Sequence, residues 1–173
     1  SAHTHCMFNH ELAPNFVEYN AAAVCASWWW SGYRTPGIHI GQDGSPGGFT
    51  VVDFTGTNHT RYYQAACQSA DYQFRAYDMN KVKEVVADKY ENYLDGASAQ
   101  DKFKKYYDYI HQKYGDNDIL VNVWDYDDNW TVTIEENGSP LTVTQVPAYD
   151  PLHIVALTAE RCKKDGSDPQ FLT

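Results

Sequence analysis

The period of the hydrophobic pattern changes along the chain, and this change constrains the fold more than any other feature. Apolar residues recur at helical spacing in two consecutive segments, 79–95 and 99–114. Both segments are flanked by stretches in which apolar and polar residues alternate, as they do in strands. The order of strands, two helices and strands predicts a mainly β, β-sandwich-like fold with a two-helix insertion, α+β overall.

Strands are predicted before the helices. Residues 22–30, "AAVCASWWW", have the pattern of a buried apolar strand, and the Gly- and Pro-rich stretch 31–48 is typical of a long loop. Segments 49–54 and 60–66 predict a β-hairpin, and segment 72–78 predicts another strand.

Strands are also predicted after the helices. Residues 118–126, "DILVNVWDY", predict a strand, and residues 129–146 predict a hairpin that turns at Asn137-Gly138. The following segment 151–160 could complete the sheet or form a short helix.

The Asp-rich residues 125–136 match a calcium-binding loop in part. Trp130 stands where that loop requires glycine for its sharp turn. We therefore interpret this segment as an Asp-rich turn that joins two strands.

Charge and composition exclude several classes of function. The net charge of the 173-residue chain is −10, and its short basic runs lie at helical spacing, so we expect no nucleic-acid partner. No window approaches the roughly 20 apolar residues of a membrane-spanning helix, so we expect no membrane span. High Tyr and Trp contents with modest Lys favour a periplasmic or secreted protein. The four scattered cysteines permit disulfides, and we predict a Cys6–Cys25 pair.

A run of three tryptophans is a candidate binding surface. Trp28, Trp29 and Trp30 cannot all point to one side of a strand. They could form core and domain interface, or they could form, with Tyr33, an aromatic wall beside a substrate. A carbohydrate-binding module would use the same rings.

Three histidines fall in the first ten residues. His3 and His5 are two positions apart and would share one face of a strand. Neutral imidazole is a common transition-metal ligand, but two ligands do not complete a catalytic site. His10 could supply a third.

The succession of these segments resembles a known family. It runs from "SAHTH" through "AAVCASWWW" and "GGFTVVDFTGTNHTRYYQAA" to "ILVNVWDYDDNWTVTIEENG" and "YDPLHIVAL". It is similar to the end of a calcineurin-like metallophosphoesterase, in the class familiar from gut Bacteroidetes. In that class the last metal motif, Gly-His-x-His, leads into a dedicated C-terminal domain. The resemblance covers nearly the whole chain.

The resemblance implies a function for the parent enzyme. That enzyme would hydrolyse phosphate mono- or diesters at a binuclear divalent metal centre, with His3 on one metal and His5 on the other. The family's other ligands lie in an N-terminal catalytic domain that this sequence lacks. We therefore expect no catalytic residue, no bound metal and no activity in this chain alone. Ala2 also replaces the glycine of the motif.

The resemblance also implies two units. Residues 1–70 would complete the catalytic sandwich, and residues 71–173 would form an accessory β-rich domain. The residues leave a second function open, a non-enzymatic glycan- or peptide-binding β-module that uses the Trp cluster.

Overall fold

The computed structural model describes residues 7–14, 16–26 and 35–165 of the chain. The strands, in chain order, are β1 (Phe8–Ala13), β2 (Phe16–Asn20), β3 (Gly48–Thr55), β4 (Asn58–Ala65), β5 (Phe74–Asp78), β6 (Ile119–Val123), β7 (Glu135–Glu136) and β8 (Ser139–Pro140). The helical segments are α1 (Met79–Asp88), the π-helical turn π1 (Lys89–Tyr93), α2 (Ala97–Lys113), α3 (Pro151–His153), π2 (Ile154–Thr158) and α4 (Ala159–Asp165).

Each described strand pairs with one other described strand. They form four two-stranded antiparallel sheets, β1–β2, β3–β4, β5–β6 and β7–β8. In the chain, β5 precedes the two long helices and β6 follows them. The two strands pair with Phe74 opposite Val123 and Asp78 opposite Ile119. The predicted α+β class is confirmed. A sandwich is not confirmed, because the described strands form four separate pairs.

Both long helices form where the sequence predicts them. The carboxylate of Asp78 caps α1 by accepting a 2.9 Å hydrogen bond from the amide of Asn80. The second helix begins at Ala97, two residues before the predicted start at position 99, because its cap is Gly96, whose φ of +96° suits glycine.

The larger hydrophobic core lies between the helices and the C-terminal helical segment. Phe103 and Ile110 of α2 pack there with Met79 and Val86 of α1 and with Ile154 of π2, all fully buried or nearly so. The C-terminal segment therefore stabilises the helical insertion by burying the apolar faces of both helices.

A smaller core joins the two hairpins that precede the helices to the end of β6. Tyr63 and Ala65 of β4 and Trp124, which follows β6, are fully buried there. Met7 and Tyr72 pack against them. This core contains residues from both sides of position 70, and the predicted division into units 1–70 and 71–173 stays a prediction.

The structure corrects several local predictions. The predicted strand 22–30 is wrong over residues 22–26, which form coil and a turn with Ala26 at φ +56°, and residues 27–30 lie outside the described part. The open segment 151–160 is helical. In the predicted hairpin 129–146 the turn at Asn137-Gly138 is present, but only two residue pairs form on its sides.

The predicted hairpin of residues 49–54 and 60–66 is confirmed as β3–β4. The hairpin β1–β2 has no counterpart in the sequence prediction. Among the described residues, no helix combines the length and the apolar character that crossing a bilayer requires.

Candidate functional site

A groove runs along the outer edge of β6. Its volume is about 800 Å³, within the range of about 300–1,000 Å³ that is common for ligand sites. One wall is β6 itself, and the other is formed by segments 130–134 and 142–150, which have no regular secondary structure. Within the described part of the chain, no backbone hydrogen bond joins the two walls. With respect to the described residues, this edge of β6 has no strand partner.

A buried polar cluster closes the groove at the Asn122 end of β6. Asp43 comes from the Gly- and Pro-rich loop, and Asp150 immediately precedes α3. The amide nitrogen of Asn122 donates to the Asp43 carbonyl at 2.6 Å and to the Asp150 carboxylate at 3.0 Å. Asn122 thereby fixes the loop and the helix start against β6.

The Asp150 carboxylate is fully engaged. Its Oδ1 accepts the amide of His153 at 2.8 Å, which caps α3, and its Oδ2 accepts the Tyr77 hydroxyl at 2.6 Å. Pro151 at the first helical position suits this cap. The Asp-Pro pair at the start of α3 therefore places the Asp150 carboxylate in the cluster.

Asp43 is held in a less favourable environment for a charge. Burial raises the pKa of its carboxyl above the ordinary value, and hydrogen bonds from the Ser45 hydroxyl and amide, at 2.7 and 3.2 Å, oppose this rise only in part. The Asp150 carboxylate raises the pKa further. No salt bridge to a described residue neutralises Asp43 or Asp150.

Arg75 supports the loop but forms no salt bridge with these carboxylates. Its guanidinium donates to the carbonyl of Gly44 at 2.9 Å and to the Tyr77 hydroxyl at 3.1 Å. It also lies 5.0 Å from the ring centroid of Trp124. Its role is therefore to hold the loop that carries Asp43.

A second cluster positions the groove wall near Trp130. The Arg61 guanidinium lies between the rings of Tyr19 and Trp130, 4.4 and 5.3 Å from their centroids. It pairs with Asp125 at 2.5 Å and donates to Asp127 at 3.0 Å. The Asp-rich turn is thus fixed to β4. Asp125 and Asp127, which match calcium-ligand positions in the sequence, instead bind an arginine.

The candidate residues of the sequence analysis stay predictions. His3, His5, Trp28–Trp30 and Tyr33 lie outside the described residues. The thiol of Cys25 is free and exposed, and its predicted partner Cys6 also lies outside the described part, so the pairing stays a prediction.

The residues that the structure describes do not by themselves fit a binuclear metal centre. Among them, no group of three or more His, Cys, Asp or Glu side chains is arranged to hold a metal ion. Asp43 and Asp150 are only two carboxylates, and the hydrogen bonds above already engage Asp150.

A family model matches most of the chain. It is described as the C terminal of calcineurin-like phosphoesterase and covers residues 18–170. The chain belongs to this family of C-terminal phosphoesterase domains. No curated protein and no solved structure shows a significant match.

The N-terminal boundary of the family match falls within a strand of the structure. The family match begins at Glu18, inside β2, while β1 precedes it. Phe8 of β1 pairs with Asn20 of β2, so the segment before the match is hydrogen-bonded to the domain.

Sequence reasoning missed the groove residues of the C-terminal phosphoesterase domain. A local signal existed for Asp150, because Asp followed by Pro is typical of a helix start. Asp43 lies in a D-G turn, which predicts a loop and no particular role. Asn122 had no signal, because its partners come from distant parts of the chain.

Proposed function

We propose that this chain is the C-terminal domain of a metal-dependent phosphoesterase that hydrolyses phosphate mono- or diesters. The family match over residues 18–170 carries the proposal. In this proposal the catalytic domain is the partner and supplies most metal ligands, while His3 and His5 supply the last two of a binuclear divalent site. The Trp28–Trp30 run and Tyr33 then lie beside the phosphate-ester site.

The path of the chain supports a structural connection between the His3–His5 metal motif and the C-terminal domain. Strand β1 begins three positions after His5, and its pairing with β2 continues from Phe8 to Ala13. The Asn9 side chain also donates to the Tyr126 carbonyl at 2.6 Å. A metal motif directly before β1 would therefore be anchored to the C-terminal domain by backbone and side-chain hydrogen bonds.

The test compares this chain with a longer product that includes the catalytic domain. We expect the longer product to bind two divalent metals and to hydrolyse p-nitrophenyl phosphate or its bis-ester. The 173-residue chain, purified without chelator, should contain almost no metal by elemental mass spectrometry and should be inactive.

The variants His3→Ala and His5→Ala identify the ligands. In the longer product each should lower activity by at least about 100-fold and reduce metal content, because a ligand itself is removed. His39→Ala is the matched control, since His39 is exposed in the loop before β3. Equal activity in all three variants would contradict the proposal, and so would tightly bound metal in the 173-residue chain.

We also propose that the parent enzyme acts in the periplasm or outside the cell. Cell fractionation tests this, and recovery of the enzyme with the cytoplasmic fraction would contradict it.

Saturable quenching of Trp fluorescence by an oligosaccharide but not by phosphate would favour the glycan-binding alternative.

A further inference from the structure

We propose that the groove beside β6 binds an extended peptide strand with a basic side chain at the Asn122 end. The occupant is a polypeptide of a partner, with apolar or Thr side chains at alternating positions. This inference does not depend on phosphoesterase activity.

The edge of β6 favours a strand over other ligands. Five consecutive residues, Ile119–Val123, pair with β5 on one side, and no described residue pairs with them on the other. An unpaired edge offers a row of amide donors and carbonyl acceptors, which an added strand satisfies. A two-stranded sheet such as β5–β6 is also marginal alone, and a third strand would stabilise it.

The opposite wall is suited to the side chains of such a strand. Thr and apolar residues alternate over 131–134 and 142–144, which include Val132, Ile134 and Val143, and Val146 also lines the groove. Val143 and Val146 are each 44% exposed, so a bound strand would bury apolar surface that now faces solvent. Backbone pairing and apolar burial would therefore act together.

Charge complementarity selects a basic end group. Asp43 and Asp150 line the groove, and neither forms a salt bridge with a described residue. The Asp150 oxygens already accept hydrogen bonds, so Asp43 is the main partner for a cation, and a cation beside it relieves the repulsion between the two carboxylates. The net charge of −10 also attracts a basic partner and repels an acidic one.

The opposite end of β6 does not select a basic side chain in this way. There the groove is lined by Lys113 together with Asp118. The Lys113 ammonium already donates to the Tyr109 hydroxyl at 2.8 Å and to the Pro147 carbonyl. The asymmetry along β6 predicts a preferred placement of the basic residue.

The probes are blocked hexapeptides titrated into the ¹⁵N-labelled chain. The first is acetyl-Lys-Val-Thr-Val-Thr-Val-amide, and the second has Glu in place of Lys. A third carries an N-methyl group at every residue, which removes the N–H donors from both edges and so prevents pairing with β6. We expect saturable amide chemical-shift changes at Ile119–Val123 with the Lys peptide. The Glu peptide should bind at least about tenfold more weakly, and the methylated peptide should cause no shift changes there.

The variant Asp43→Asn tests the basic-residue site. It should weaken the Lys peptide at least about fivefold and leave a peptide with Val in place of Lys unchanged, because only the ion pair is lost. The matched control Asp53→Asn removes the same charge from an exposed position on β3 and should change neither affinity. This control separates a local ion pair from the effect of net charge.

Several outcomes would overturn the inference. They are equal affinity for the Lys and Glu peptides, shifts that avoid β6, and no saturable binding up to millimolar peptide. Displacement of the Lys peptide by a hexasaccharide that itself shifts Trp130 and Tyr149 would identify a sugar site instead.

Discussion

The guanidinium of Arg61 and the carboxylate of Asp125 form a buried ion pair. Nη1 lies 2.5 Å from Oδ1, and the two side chains are 3% and 4% exposed. The Nη1 contact is a close ion pair without hydrogen-bond alignment, while Nη2 donates to Asp127 at 3.0 Å. Thr50 donates to the other Asp125 oxygen at 2.9 Å. This arrangement ties β3, β4 and the Asp-rich turn together.

The variant Arg61→Met should strongly destabilise the protein. It leaves the Asp125 carboxylate buried without a cation, which costs about 3–5 kcal/mol. Urea unfolding followed by far-UV circular dichroism measures the change. The control Lys81→Met breaks the exposed Lys81–Glu84 pair and should have little measurable effect. Equal effects of both variants would show that the Arg61 pair is not buried in solution.

Gly44 should tolerate no side chain. Its φ is +80°, and a Cβ atom there would lie 1.9 Å from the Cγ of Asp150. The variant Gly44→Ala therefore combines backbone strain with displacement of the helix-capping carboxylate, and we expect a loss above about 2 kcal/mol.

Gly37→Ala is the matched control for this prediction. Gly37 has φ +84°, and a Cβ there would meet nothing within 4 Å. Only strain remains, about 1 kcal/mol, which corresponds to a Tm decrease of about 2–4 °C in a chain of this size. Thermal melts of both variants should differ clearly, and equal decreases would mean that Gly44 does not contact Asp150.

The helical part of the fold was predictable because its signal is local. The apolar residues of α1 and α2 recur within each helix, so the sequence alone places both elements to within a few residues. The hairpin 129–146 shows the limit of such reasoning. Alternation and an Asn-Gly turn predict two long strands, but strand pairing also requires register and neighbours, and only β7–β8 forms.

The candidate site was not predictable for a related reason. Asn122, Asp43 and Asp150 meet only because the loop, β6 and the start of α3 converge in space. No spacing rule connects residues so far apart in sequence. The apolar run that predicts a strand from residue 22 also fails, because Ala26 adopts φ +56° in a turn.

The variant Asp43→Asn should stabilise the protein at neutral pH. Burial raises the pKa of the Asp43 carboxyl in the folded state, so the charged form costs stability above that folded pKa and the cost falls as pH decreases through it. Asparagine removes the charge and keeps an oxygen that can accept the Ser45 hydrogen bonds. We expect a Tm increase of about 2–4 °C at pH 7, for a gain near 1 kcal/mol, and a smaller increase at pH 4.

Asp53→Asn is the control for the Asp43 prediction, since Asp53 is exposed on β3. It should change Tm little at either pH. An Asp43→Asn variant that loses stability at pH 7 would show that the charged carboxylate is favourable in the folded state.

His153 should make the protein sensitive to acid. Burial lowers the pKa of its imidazole to about 4, and the positive charge of Arg161 contributes. The Thr158 hydroxyl lies 3.4 Å from Nδ1, and Nε2 has no hydrogen-bond partner among the described residues. Among the described residues, only the Thr158 hydroxyl is placed to accept from a protonated ring, and Nε2 has no acceptor.

The pH dependence follows from the two states of His153. The unfolded chain takes up the proton near the ordinary pKa of 6.5, whereas the folded chain does so only near pH 4. The contribution of His153 to stability is therefore complete above about pH 6.5 and is lost progressively towards pH 4, by up to about 3 kcal/mol. In His153→Gln this loss should disappear from urea midpoints measured between pH 4 and 7.5. The variant His10→Gln controls for removal of an exposed imidazole, and an unchanged pH profile in His153→Gln would mean that another group causes the acid sensitivity.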